Sequence, residues 1–426
     1  MDKLKVVWIC HFSNKEIRSK LSLSKRVGYP DYASWITNMI VGFEKRDDVE
    51  LHVIAPHKGM NKYLSEFFYN GVYYYFYKSD APIINKSWPN FFPIDYWTSF
   101  LISRIKVYTI VKKIKPDIIS LIGAENPYYS STILWLRKLK IPVYILIQGI
   151  YSNPVRFLTG LKPNKIRIRI ERKIHTFYKY FGVGAPFFIN LIKRDNKSAT
   201  YLNVQAPRQI NINSEVDFVN KTFDFVFFAR IVPNKGIEDL FESLSIVKKT
   251  FSDVSLNVIG PVNKNYLSFL KEKACKMNLE KNITFSGNFL SLDDVHYEVL
   301  KAKISVLPTK FEGMASNLIE SMLLGLPVVT CRTGGLPYLN KDGETVLMSE
   351  PGDIKAFADN MLRFLKEPDF ANDLSIKAKE FALKEFGIEK ITNNLIMQYH
   401  AIINNFKNNK PIPDELLFDE TLFIEK

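Results

Sequence analysis

The chain has 426 residues, 46% of them hydrophobic and 24% charged, a balance that excludes a disordered chain and supplies apolar side chains for two cores of ordinary size. Its net charge of +14 favours an anionic partner, whether a membrane surface, a nucleic acid or a phosphorylated small molecule, with a plain solvated basic surface as the alternative. Three cysteines, Cys10, Cys275 and Cys331, stand far apart with no CxxC spacing, so neither a disulfide framework nor a zinc site is expected and a reducing compartment fits.

At the N-terminus, "MDKLKVVWICHFSNKE" holds an apolar run of only about five residues, too short for the core of a signal peptide. The most apolar long window, 96–111, is broken by Arg104 and Lys106, so no membrane span is predicted. Strands are predicted at "KVVWICH" (5–11), "VELHVIAP" (49–56), "VYYYFYK" (72–78), "DIISLIG" (117–123) and "VYILIQG" (143–149). Helix-length segments at 33–45, 96–115 and 127–139 fall between them. Alternation of buried apolar runs with helices predicts a doubly wound parallel sheet.

Between 162 and 181, "KPNKIRIRIERKIHTFYKYF" places Ile166, Ile170, Ile174 and Phe177 on one helical face and Arg167, Arg169, Arg172 and Lys173 over the rest. Two readings stay open: a helix lying on an anionic membrane, or an amphipathic helix of the first domain. The aromatics of "SWPNFFPIDYWTSF" (87–100) either meet a lipid or sugar ring or pack. From 196 to 222 periodicity fades and Asn, Ser and Pro accumulate, as in a linker.

The same grammar then restarts, with strands predicted at 223–231, 254–260, 283–287, 304–308 and 327–331. Helices are predicted near 236–250, 263–277, 291–301, 316–325 and 353–366. The expected organisation is a Rossmann-like domain over 1–205, a linker over 206–222, a second Rossmann-like domain over 223–390, and a helix and tail over 391–426 that packs back on the first domain. Together these make an α/β protein of two doubly wound Rossmann-like domains facing a cleft, with ligands expected beyond the carboxyl ends of the strands.

Within "FEGMASNLIESMLLGLPVV" (311–329), Glu312 precedes a predicted helix and Glu320 lies inside it. The spacing Asn317-x-x-Glu320 fits a capping box, and the macrodipole favours a carboxylate there. The other reading is that the amides from Gly313 through Met314, Ala315 and Ser316 bind an anion while the two carboxylates accept from hydroxyls. A ligand with a diphosphate and sugar hydroxyls satisfies both requirements. In "ARIVPNKG", Arg230 and Lys235 are either a solvated basic loop or a phosphate clamp. "CRTGGLP" (331–337) is either an ordinary loop or a close backbone approach to a ligand.

Taken in order, Arg230-x4-Lys235-Gly236, "TFSG" (284–287), "VLPTKFEG" (306–313), Glu312-x7-Glu320, "GLPVVTCRTGGLP" (325–337) and "KDGETVLM" (341–348) resemble retaining glycosyltransferases of the GT-B fold. The likeness is to the large GT4-like family of group 1 glycosyltransferases and covers roughly 223–366. It implies a hexosyltransferase-like enzyme that moves a sugar from a UDP- or GDP-linked donor to a glycan or lipid-linked acceptor with retention, as in capsule or lipopolysaccharide synthesis.

By that resemblance Arg230 and Lys235 contact the donor diphosphate and Glu320 the ribose hydroxyls. Glu312 and the amides after it face the transferred sugar, while Gly287 and Gly28 belong to the donor site. Gln148 and Gly149 fall where many members carry a histidine on the acceptor or sugar side, and Tyr338 where many carry a glutamate. These departures leave a catalytically inactive GT-B scaffold as an alternative, and a GT-B nucleotide-sugar epimerase as another. No metal or cofactor is implied, no nucleic-acid reading motif occurs, and the expected place of action is the cytoplasm, at the inner face of the plasma membrane.

Overall fold

The computed structural model describes residues 3–23, 33–57, 59–79, 94–154, 162–210, 212, 221–289, 291–340 and 343–423. Gly28 and residues 87–93 of the aromatic segment lie outside the described residues. The chain divides into two units, Met1–Pro207 with Ile388–Asp419, and Arg208–Gly387 with Glu420–Lys426.

The first unit is built on eight strands: β1 (Leu4–Ile9), β2 (Val49–Pro56), β3 (Leu64–Tyr69), β4 (Val72–Tyr77), β5 (Ile118–Ile122), β6 (Val143–Leu146), β7 (Tyr180–Val183) and β8 (Thr200–Asn203). Their order is β3-β4-β2-β1-β5-β6-β7-β8. All neighbours are parallel except the β3–β4 hairpin, which turns through Asn70 and Gly71 at φ 47° and 80°, as a two-residue Asn-Gly turn demands.

The strand β1 shows why the runs are continuously apolar. Val6 and Trp8 pack into one cluster, while Val7 and Ile9 pack into another. Both faces are covered, so alternation disappears.

Helix Ile388–Asn408 closes one of those faces. Trp8 Nε1 donates to Tyr399 Oη at 2.8 Å, Ser120 Oγ to the same oxygen at 3.0 Å, and Tyr144 Oη to Gln398 Oε1 at 2.8 Å. Gln398 Nε2 donates to the Asn203 carbonyl at 2.7 Å.

Several expectations need correction. The stretch read as a linker from 196 contains β8, four residues paired in parallel with β7. The helix expected at 127–139 is two short helices, Pro127–Ser130 and Ile133–Leu136, and a final 3-10 turn. Of the two readings of 162–181, the amphipathic one holds for its apolar stripe: helix Lys165–Phe177 buries Ile170 and Ile174 in the core, while Ile166 and Phe177 stay exposed. Its Glu171 accepts from the amides of Tyr151 and Ser152 at 2.6 and 2.7 Å. No helix among the described residues is long and apolar enough to cross a membrane.

The second unit carries six strands: β9 (Phe223–Phe228), β10 (Leu256–Ile259), β11 (Ile283–Gly287), β12 (Ala302–Leu307), β13 (Val328–Cys331) and β14 (Leu347–Ser349). They are all parallel, in the order β11-β10-β9-β12-β13-β14. The order reverses between β9 and β12. This is the switch point of the sheet, and ligands of such sheets bind there, beyond the carboxyl ends of the strands.

Candidate active site

Arg230 and Lys235 lie on the loop after β9, and Glu312 to Ser316 on the loop after β12, so the switch point brings both sequence motifs to one edge. The loops are in contact. Lys310 donates its amide to the Asn234 carbonyl at 2.9 Å, and the Lys235 ammonium donates to Glu312 Oε2. At Gly236, φ is +76° and a Cβ would stand 1.8 Å from the Pro308 carbonyl oxygen, so only glycine lets the loops approach.

The Gly-Gly turn after β13 packs against the same place. Gly335 donates to the Gly313 carbonyl at 2.8 Å, and a Cβ at Gly334 would fall 1.6 Å from the Glu312 carbonyl oxygen. Gly287, at the end of β11, accepts from the Gly260 amide at 2.7 Å, and nothing lies within 4 Å of where its Cβ would be.

Helix Ser316–Leu323 points its N-terminus into this cluster. The expected capping box is not formed. The N-cap position is Ala315, in extended backbone with φ −81° and ψ 106°, and no side chain caps the helix. Asn317 already sits on the helix, and its Nδ2 donates instead to the Phe228 carbonyl at the end of β9, at 2.7 Å. An uncapped first turn carries unsatisfied amides and the positive end of the helix dipole.

Charge gathers around that turn. Burial, helped by the neighbouring Arg230 guanidinium, pushes Lys235 down to about 8, and contact with the Glu312 carboxylate acts in the opposite direction. Burial also lowers Arg208, against the attraction of Glu320, and Arg208 Nη2 donates to Ser316 Oγ. Glu320, its side chain 13% exposed, has Oε2 at 3.4 Å from His296 Nε2. Three cations, two carboxylates and a bare helix N-terminus thus form one polar patch suited to an anion flanked by hydroxyls.

Arg208 and His296 escaped the sequence reading. Arg208 lies in an aperiodic stretch, and His296 is a lone histidine on helix Leu292–Val299; neither position carries a local signal. Gln148 and Gly149 are in the other unit, in the loop beyond β6, with Gln148 exposed. Tyr338 is buried, donates to Glu385 Oε2 at 2.6 Å, and packs on Phe381, Phe386 and Phe423. It is a packing residue of the second unit. Among the described residues no three His, Cys, Asp or Glu side chains come together as a metal site.

Two sheets, parallel but for the β3–β4 hairpin, with helices on their faces define the class, and the solved structures agree. HepE of Anabaena, in complex with UDP and glucose, superposes with a TM-score of 0.65 at 14% identity, over 93% of this chain and 100% of that one. The fold is GT-B, two Rossmann-like domains.

Residues 209–381 match the family Glycosyl transferases group 1, and the second unit is a domain of that family. N-acetyl-alpha-D-glucosaminyl L-malate synthase of Bacillus anthracis is 25% identical over 177 residues, 41% of this chain and 45% of that protein. The capsular polysaccharide biosynthesis glycosyltransferase CapM of Staphylococcus aureus is 25% identical over 192 residues, 43% of this chain and 48% of that protein. The chain thus spans a little under half the length of these two relatives.

Proposed function

We propose that the protein is a glycosyltransferase that moves a sugar from a nucleotide-sugar donor to a glycan or lipid-linked acceptor, with retention at the anomeric carbon, in the synthesis of a bacterial surface polysaccharide. The observation that carries this reading is the convergence of Lys235, Glu312, Glu320 and the uncapped N-terminus of helix Ser316–Leu323 at the β9/β12 switch point.

In this scheme Arg230, Lys235 and the amides from Gly313 to Ser316 meet the donor diphosphate. As the bond to the sugar breaks, negative charge grows on the departing diphosphate and positive charge on the sugar. Fixed cations and dipoles aimed at the phosphates lower that barrier without reorganising. Glu320 accepts from the ribose hydroxyls, and Glu312, tied to Lys235, faces the transferred sugar. These groups do the work without a metal or other cofactor. Gln148 and Gly149 lie on the acceptor side, and the protein acts in the cytoplasm at the inner face of the plasma membrane.

UDP is the favoured donor nucleotide, because the structural relative from Anabaena holds UDP. The test is a thermal-shift series with UDP, GDP and their sugars, since a ligand at 100 times its Kd stabilises the native state by about 2.7 kcal/mol. Stabilisation by one of these diphosphates and its sugar is expected, and a flat response to all of them sinks the reading. Binding with neither transfer nor donor hydrolysis would instead favour a scaffold, and product formed without acceptor an epimerase.

A further inference from the structure

The ring of His296 is buried, 1% exposed. Its Nε2 lies 3.4 Å from Glu320 Oε2, and its Nδ1, also buried, has no hydrogen-bond partner among the described residues. A carboxylate oxygen accepts, so the contact assigns a ring proton to Nε2, while Nδ1 stays in the interior without a partner among the described residues. A residue kept only to fill space behind helix Ser316–Leu323 would not need a nitrogen whose burial goes uncompensated; leucine fills such a space at less cost. The polar edge of the ring has Glu320 as its partner.

Glu320 also feels the Arg208 guanidinium, itself anchored to Ser316 at the first turn of the same helix. The imidazole takes Oε2, and Oε1 makes no hydrogen bond among the described residues.

We propose that His296 is a positioning residue: it fixes the plane of the Glu320 carboxylate so that Oε1 meets the ribose hydroxyls, and thereby sets the preference for ribose over deoxyribose in the donor nucleotide. The inference rests on the reading of Glu320 as the ribose acceptor. A carboxylate free to rotate loses the directionality that a diol requires, whereas a pinned one rejects a ligand that leaves it unpaired.

Isothermal titration of the full chain with UDP and GDP, and with their 2′,3′-dideoxy counterparts, tests it. Wild type and H296Q, whose amide nitrogen reaches the position of Nε2, are expected to bind the ribonucleotide at least about tenfold more tightly than the dideoxy form. H296N, whose amide stops short, is expected to bring the two within about twofold while leaving dideoxy affinity unchanged. If H296N does not fold, H296M, apolar and of similar length, supplies the same comparison.

A variant without the Nε2 donor that keeps the full preference, or that weakens both nucleotides alike, overturns the role of His296. So does loss of the preference in H296Q. A wild-type chain that binds neither diphosphate, or that binds ribose and dideoxy forms equally, overturns the ribose role of Glu320 and the inference with it.

Discussion

Lys235 sits where burial and the Arg230 guanidinium both work against its charge, so its pKa falls to about 8, while the Glu312 carboxylate beside it favours the ammonium. Below that pH the side chain is charged and attracts a diphosphate; as pH rises through it the charge is lost. The profile of kcat/KM for the donor, which reports the free enzyme, is therefore expected to fall on the alkaline side of about 8. Lys235→Arg, always charged, is expected to remove that limb, and an unchanged limb in the variant assigns the titration to another group. Lys235→Ala and Glu320→Ala are each expected to lower kcat/KM by about tenfold or more, equivalent to at least about 1.4 kcal/mol of transition-state binding; wild-type turnover in both would undo the site. All of these residues were legible because their motifs are local. His296 and Arg208 were not, because what gives them a role is a contact with helix Ser316–Leu323, which neither belongs to.

At the scale of elements, helix Ile388–Asn408 has a measurable anchor in Tyr399, whose hydroxyl oxygen accepts from Trp8 and Ser120 in the buried interior. Tyr399→Phe leaves both donors unsatisfied, and the expected loss is about 1–3 kcal/mol, read by denaturant unfolding of the full chain. A midpoint like that of wild type would show that these bonds do not hold the helix. The strands with long continuous apolar runs were visible in sequence because burial on both faces removes every polar position. β3 was missed although its signal was present: Asn70-Gly71 between two aromatic runs is a hairpin signature. β7 and β8 were missed because Gly182 interrupts the first and polar Thr200 and Asn203 bound the second, so neither reads as a continuous apolar run. Asn317-x-x-Glu320 shows the opposite failure, a pattern of the right spacing whose asparagine has a better partner in the Phe228 carbonyl, across the loop after β12.

At the scale of the molecule, the net charge of +14 asks for a partner. With Ile170 and Ile174 buried, helix Lys165–Phe177 presents cations outward: Lys165, Arg169 and Lys173 are exposed, and Arg172 pairs with Asp195 at 2.6 Å. If this face meets an anionic membrane carrying the acceptor, the attraction is electrostatic and screened by salt. Flotation is expected to recover the protein with anionic vesicles at low salt, to lose it as salt rises, and to leave neutral vesicles bare. No salt-sensitive recovery would remove the membrane from the proposal.

The sequence by itself determined the repeated strand and helix grammar of both halves and the loops of the second that carry Arg230, Lys235, Glu312 and Glu320, because period, turn residues and motif spacing are properties of neighbours in the chain. The tertiary structure alone decided the order of the strands, the switch point that gathers those loops, the return of Tyr399 to Trp8 across 391 residues, and the placing of His296 against Glu320. Such contacts are chosen by which buried faces and polar groups satisfy one another in space, and no local pattern encodes them.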